Sequence, residues 1–264
     1  MGDQMQAASE SECRPIGATC PGATAWPTEP TLRERAPGFE GDVLYVLPTA
    51  RPGGDGTRAR PIRLAAVALA TAPAGAIVAL GLGDYPEWLR SETAVAIVGA
   101  CVDGVRVAAP NRGEASLDLD LAGTGGQLVR DLTLAADAPR TLGALVRVEG
   151  QPVSLRSILV TGTDHGGIVF QGEQAGSLSD VVVREPGGQG LEVREGARVQ
   201  AERLVVEAAG GTGVFVNRRA GDARSTLTLS DAVVSGPGRQ GIEVARGSSA
   251  DLAQIGRASC RERV

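Results

Sequence analysis

A repeat constrains this chain more than any other feature. Ser157-Ile158-Leu159-Val160, Asp180-Val181-Val182-Val183, Arg203-Leu204-Val205-Val206 and Asp231-Ala232-Val233-Val234 share one pattern, and their starts lie 23, 23 and 28 residues apart. A second column keeps the same spacing: Gly167-Ile168-Val169-Phe170, Gly190-Leu191-Glu192-Val193, Gly213-Val214-Phe215-Val216 and Gly241-Ile242-Glu243-Val244. Such a period belongs to stacked units, each of which needs its neighbours to bury its apolar side. The Leu-x-x-Leu-x-Leu-x-x-Asn frame of a leucine-rich repeat is absent, and a propeller blade needs a period roughly twice as long. A sandwich would not keep two columns in phase. One coil of three short strands and three bends fits.

Alternation within each strand then sorts the side chains. Ile168/Phe170, Leu191/Val193, Val214/Val216 and Ile242/Val244 point inward in one column. In the other column Ile158/Val160, Val181/Val183, Leu204/Val206 and Ala232/Val234 do so. Glu192, Glu243, Asp180, Arg203 and Asp231 point outward, as do Leu159, Val182, Val205 and Val233. That outward apolar stripe reads first as branched residues supporting strand geometry, and second as a surface covered by residues 1–40 or by a partner. On the first reading Val182→Asp is tolerated better than Asp at 181 or 183.

The front of the chain is punctuated differently. Residues 1–40 read as an irregular, Pro-rich segment, and residues 41–75 as a first strand at 42–47 and a short capping helix at 61–72 opened by Pro61. Residues 76–254 form the coils, beginning with a buried strand at 76–80. The apolar run 64–80 is broken by Thr71, Pro73 and Gly75, which argues against a membrane span. The composition of 37 Gly and 15 Pro suits this many turns. No signal peptide is visible in the polar opening residues. The closing decapeptide, Ile255 to Val264, resembles over its full length the translation of a common sequencing adapter. Residues 255–264 are therefore read as a non-native tail behind a stack truncated at its C-terminal end.

Gly190 to Gly247, with its in-phase columns, resembles a right-handed parallel β-helix of the pectate-lyase-like superfamily. Tyr45-Val46, Gly53-Gly54-Asp55-Gly56-Thr57, Pro61-Ile62, Gly83-Asp84-Tyr85-Pro86-Glu87 and Ile97-Val98-Gly99-Ala100-Cys101 follow in an order similar to the amino-terminal cap and first coil of bacterial β-helix repeat proteins. The resemblance covers about residues 42–254 and implies an all-β solenoid. It does not imply one activity, because the superfamily includes lyases, hydrolases, esterases and non-catalytic surface proteins. A bacterial source also fits a chain whose 26 basic residues are all Arg and which holds only two Asn.

Chemistry-bearing motifs are sparse. The net charge of −5, with Arg mixed among Asp and Glu, argues against nucleic acid. Asp164-His165 holds the sole histidine and resembles part of the pectate-lyase signature, but Gly162-Thr163 stand where Trp-Ile should precede it. The Asp cluster, Arg base and grouped carboxylates of the superfamily's enzymes are not recognisable. Leu117-Asp118-Leu119-Asp120-Leu121 places two carboxylates on one strand face, too few oxygens for Ca²⁺. No cofactor and no metal are expected. Cys13 and Cys20, close together in a Pro/Gly-rich stretch, are expected to form a local disulfide; Cys101 is read as an inert core residue.

One edge of the stack stands out as a surface. The turns 161–166, 184–189, 207–212 and 235–240 present Asp164, His165, Glu185, Gln189, Glu207, Arg239 and Gln240 at coil spacing. This row is the candidate ligand site. The expected function is a non-catalytic secreted or cell-envelope module binding extended polysaccharide or an envelope protein. The alternative is a polysaccharide lyase or hydrolase whose active site lies on further coils.

Overall fold

The repeat winds into a parallel β-solenoid of about seven turns in a computed structural model, which describes residues 4–10, 12–22, 24–108, 119–121, 125–136, 144–218, 223–245 and 247–256. Among these, two short helices accompany the strands. Every ladder within the stack is parallel. Val181 pairs with Leu204 and Val183 with Val206, and Leu191 with both Ile168 and Val214.

Each coil of the repeat has three faces. In the coil at 175–194, face 1 is residues 175–179, face 2 is 181–184 and face 3 is 191–194. Faces 1 and 2 belong to one bent strand, Ala175–Arg184. The bend is a single left-handed residue. Asp131, Ser157, Asp180, Arg203, Asp231 and Gln254 occupy it in successive bent strands, with φ between 51° and 58°. Short polar side chains tolerate this conformation best, and Asp stands at three of the six. The corner drops out of the ladder: Ser179 pairs with Arg156 and Val181 with Ile158, while Asp180 has no ladder partner. Leu178 and Val181 therefore both point inward across the corner.

The inward columns expected from alternation fill one continuous core, with Ile158, Val181, Leu204 and Ala232 at 0% exposure, except on the end strand of the face 3 sheet, where Ile242 is half-buried and Val244 is 41% exposed. Phe170 is fully buried within it. Its ring fits because the next coil offers Gly176 in a column otherwise holding Val153, Val199 and Leu227. A Cβ on Gly176 would lie 2.2 Å from the ring. The column Gly167, Gly190 and Gly213 has a similar cause: a Cβ there would come within 2.5 Å of Val183, Val206 or Val234.

Residues 1–40, expected to be irregular, hold a two-stranded hairpin and a helix. Strands β1 (Gln4–Met5) and β2 (Arg14–Pro15) pair antiparallel, and helix α1 spans Glu29–Arg35. Thr28 caps α1 through Oγ1, which accepts from Thr31 N. Trp26, Leu32 and Ala36 cover the outer side of the first coils, against Ile77, Ala79, Ala96 and Val98. The Trp26 indole donates to Val46 O and Ala79 O at 3.2 and 3.1 Å.

The first strand, β3 (Val43–Val46), runs parallel to β4 (Ile77–Leu80). Between them helix α2 covers Ala65–Thr71, shorter than the expected 61–72 because Ile62 bridges to Val46 instead. It packs Ala65, Ala68 and Leu69 into the end of the core, and the Glu87 carboxylate accepts from Ala65 N and Ala66 N at 3.1 and 3.0 Å. No helix among the described residues is long and apolar enough to cross a membrane.

The outward stripe on face 2 is not solvated. Leu159, Val182, Val205 and Val233 are 0–3% exposed, packed with Met5, Ile16 and Val102. The hairpin β1–β2 lies across them, and the corner side chains hold it. Asp180 accepts from Arg14, and Asp231 accepts from Ser9 N and Ser9 Oγ at 2.5 and 2.6 Å. The reading of this stripe as exposed branched residues is thus overturned, and with it the expected tolerance of Val182→Asp.

The disulfide expectation is corrected too. Cys20 bonds Cys101, 81 residues away, with a Cα–Cα distance of 4.9 Å. Between Cys13 and Cys20 the chain is drawn along the stack rather than closed on itself. Arg14 is tied to Asp180, and Gly17 lies against Asp131 and Ser157, on earlier coils. Cys20 therefore arrives over the front of the solenoid, where Cys101 follows the strand Ala96–Gly99. No described cysteine is free. At the other end, the final strand Ser249–Gly256 runs two residues past the boundary set at 254, pairing Ile255 with Ala232.

Candidate functional site

The turns between faces 2 and 3 do stack, through backbone hydrogen bonds from coil to coil. Gly188 N donates to His165 O at 2.8 Å, Gly211 N to Gly188 O at 2.9 Å and Arg239 N to Gly211 O at 3.2 Å. His165 and Arg239 therefore occupy one register column, with two glycines between them. Those glycines leave room beside the imidazole.

That room is part of a cleft of about 340 Å³ on the outer side of face 3. His165 and Gln189, both half-buried, line it from the turn edge. Arg147, Gln171, Glu192 and Arg194 line it from the strands. Register explains their meeting: Arg147, Val169 and Glu192 form one outward column, and Glu149, Gln171 and Arg194 the next. The second column is bonded along its length. Gln171 Nε2 donates to Glu149 Oε2 at 2.9 Å, and Arg194 Nη2 donates to Gln171 Oε1 at 2.6 Å. Arg194 also pairs with Glu192 at 3.4 Å. The cleft so carries two guanidiniums, one carboxylate, two amides and one imidazole. This is a surface rich in directional donors and acceptors.

The other residues of the row lie apart from this cleft. Asp164, Glu185 and Arg239 are exposed on the turns. Gln240 is exposed beside Thr212, whose hydroxyl lies 3.5 Å from Gln240 Oε1 and 3.2 Å from Glu243 Oε2. Glu207 turns toward face 2, where it accepts from Arg184 Nε at 2.9 Å, and Arg184 in turn donates to Gln4 O. Glu207 therefore belongs with the hairpin's support. The sequence reading missed Arg147, Gln171 and Arg194 because it followed turns rather than outward strand positions. Their common parity, two residues apart and in register, was the available signal. Asp118 lies outside the described residues, as does the side chain of Asp120. No group of three or more potential metal-ligating side chains occurs among the described residues.

No protein-family model matches the chain, and no curated protein sequence matches it. The fold is that of a parallel β-solenoid. One similar structure is the catalytic domain of a GH87 α-1,3-glucanase in complex with nigerose, with a TM-score of 0.51 and 13% identity. The likeness covers 67% of this chain and 34% of that one, so the chain spans about a third of the glucanase domain's length. Another is an alginate lyase from Paenibacillus sp. str. FPU-7, with a TM-score of 0.42 and 12% identity over 82% of this chain and 99% of that one.

Proposed function

We propose that the protein is a non-catalytic, secreted or cell-envelope module that binds an extended polysaccharide along face 3. One observation carries this reading: the polar cleft of about 340 Å³ in which His165 and Gln189 meet Arg147, Gln171, Glu192 and Arg194. Successive rungs of the stack repeat at about 4.8 Å, so a chain molecule lying along the axis meets polar groups from several coils in turn. The fold is shared with a glucanase domain solved with a bound disaccharide. The Cys20–Cys101 disulfide supports an oxidising compartment. Binding is favoured over hydrolysis because glycoside hydrolysis generally needs two carboxylates flanking the bond. Among the described residues Glu192 is the one carboxylate lining the cleft.

Affinity electrophoresis against a panel of neutral and acidic polysaccharides tests the reading. At least one polysaccharide is expected to retard the protein, and the double variant His165→Ala/Gln189→Ala to weaken that retention by about tenfold. Retention by none of the panel, or equal retention of the double variant, overturns it. Release of reducing ends or of unsaturated products from a retained polysaccharide would overturn the non-catalytic part alone.

A further inference from the structure

Face 1 carries a second groove, with a different chemistry. Two clefts of about 620 and 370 Å³ run along it and share Arg156, Ser177, Gln200 and Thr228. The register lines these residues up. Ser154, Ser177, Gln200 and Thr228 form one outward column across four consecutive coils. Arg156, Ser179, Glu202 and Ser230 form the other. Six of these eight positions hold an uncharged hydroxyl or amide, and the two charges are of opposite sign. The hydroxyls already meet across coils, with Ser177 Oγ donating to Ser154 Oγ at 2.9 Å. At the front of the groove, Pro37 and the half-buried Phe39 rise beside Gln127 and Leu128.

We propose that face 1 is a separate binding track for a neutral, extended polysaccharide lying along the solenoid axis with one sugar ring per coil. Each hydroxyl or amide here is both donor and acceptor, as is each sugar hydroxyl, so the two rows match without a net charge on either. The coil spacing of about 4.8 Å is close to the rise of one ring in an extended, ribbon-like glycan. Charges are few here: Arg156 and Glu202 stand in the same column with opposite sign, and the exposed Arg198 at the margin of the larger cleft is the other charged side chain lining the groove. Phe39 and Pro37 offer an apolar end on which the C–H face of a terminal ring packs, the usual division between apolar wall and a few placed polar groups. Face 3 differs in its charge and its walls: Arg147, Glu149, Glu192 and Arg194 stand in its outward columns, and its cleft is walled by a turn.

Calorimetric titration with three extended neutral probes, cellohexaose, mannohexaose and xylohexaose, tests the track on the full chain. At least one is expected to bind, with affinity rising from the dimer to the hexamer as more rungs are engaged. Ser177→Arg and Thr228→Arg, on half-buried and exposed outward positions, are expected to weaken it by about tenfold, with melting temperatures confirming that both variants fold. His165→Ala/Gln189→Ala on face 3 is expected to leave it within about twofold. Binding of none of the three probes, binding indifferent to both face 1 variants, or loss through the face 3 variant overturns the proposal. Tighter binding of a hexauronate at face 1 overturns its neutral-glycan part.

Discussion

Faces 2 and 3 share an inward pattern and differ outside. Both send aliphatic residues into the core from alternate positions. Outward, face 2 presents Leu159, Val182, Val205 and Val233, whereas face 3 presents Val169, Glu192, Phe215 and Glu243. The first column is closed by a hairpin from the start of the chain; the second stays open and holds the cleft. Alternation thus states which side chains leave the core, but not that those side chains meet water. Four stacked aliphatic residues form a stripe too apolar to leave uncovered, and the chain supplies Met5 and Ile16 to cover it.

The sharpest way to break this contrast is one carboxylate on each face. Val182→Asp is expected to cost about 3–5 kcal/mol, the penalty of an uncompensated buried charge, because Val182 is 0% exposed beneath the hairpin. Phe215→Asp, in the corresponding outward column of face 3 and half-buried, is expected to cost about 1 kcal/mol or less. Denaturant melts of the two variants check this. Equal losses would mean that the hairpin does not close face 2.

Removing the anchor of that cover comes next. Cys20→Ser opens the link to Cys101 across 81 residues and is expected to destabilise by about 2–4 kcal/mol. A melting temperature equal to the parent's would remove Cys20–Cys101 from the hairpin's support.

The corner carboxylate under the hairpin yields a pH signature. Burial alone would raise the pKa of Asp180, but hydrogen bonds from Arg203 and Arg14 outweigh it and hold the value down at about 2. A carboxyl depressed in the folded state contributes stability that is complete above its ordinary value of 3.8 and is lost as pH falls through about 2. Asp180→Asn is expected to cost about 1–2 kcal/mol at neutral pH and to flatten the acid limb between those two values. Urea midpoints measured from pH 6 to pH 2 check it; a parallel acid limb in the variant would assign the pH dependence to other groups.

The smallest effect belongs to the rim of the same face. Glu207→Gln loosens the half-buried pair with Arg184, and with it the contact to Gln4 O. A change below about 1 kcal/mol is expected. Hydrogen exchange at residues 4–6 should quicken while exchange in the strands 198–207 and 226–235 stays unchanged. Faster exchange throughout would instead make Glu207 part of the stack's own stability.

The sequence alone determined the stack. Two columns in phase at 23, 23 and 28 residues leave few arrangements but parallel coils, and a two-residue alternation assigns the core face of each strand. These are local or nearest-neighbour properties, and a repeat writes them several times over. The helix at the front was legible from Pro61 and the apolar run behind it, and two of the six polar side chains of the cleft, His165 and Gln189, through the turns they share. Tertiary structure decided what lies against the outer side of each face. Arg14 meets Asp180 across 166 residues, Ser9 meets Asp231 across 222 and Cys20 meets Cys101 across 81. No period connects such pairs. A strand pattern reports the direction of a side chain, while its partner on the outside depends on where a distant, non-repeating segment is laid down.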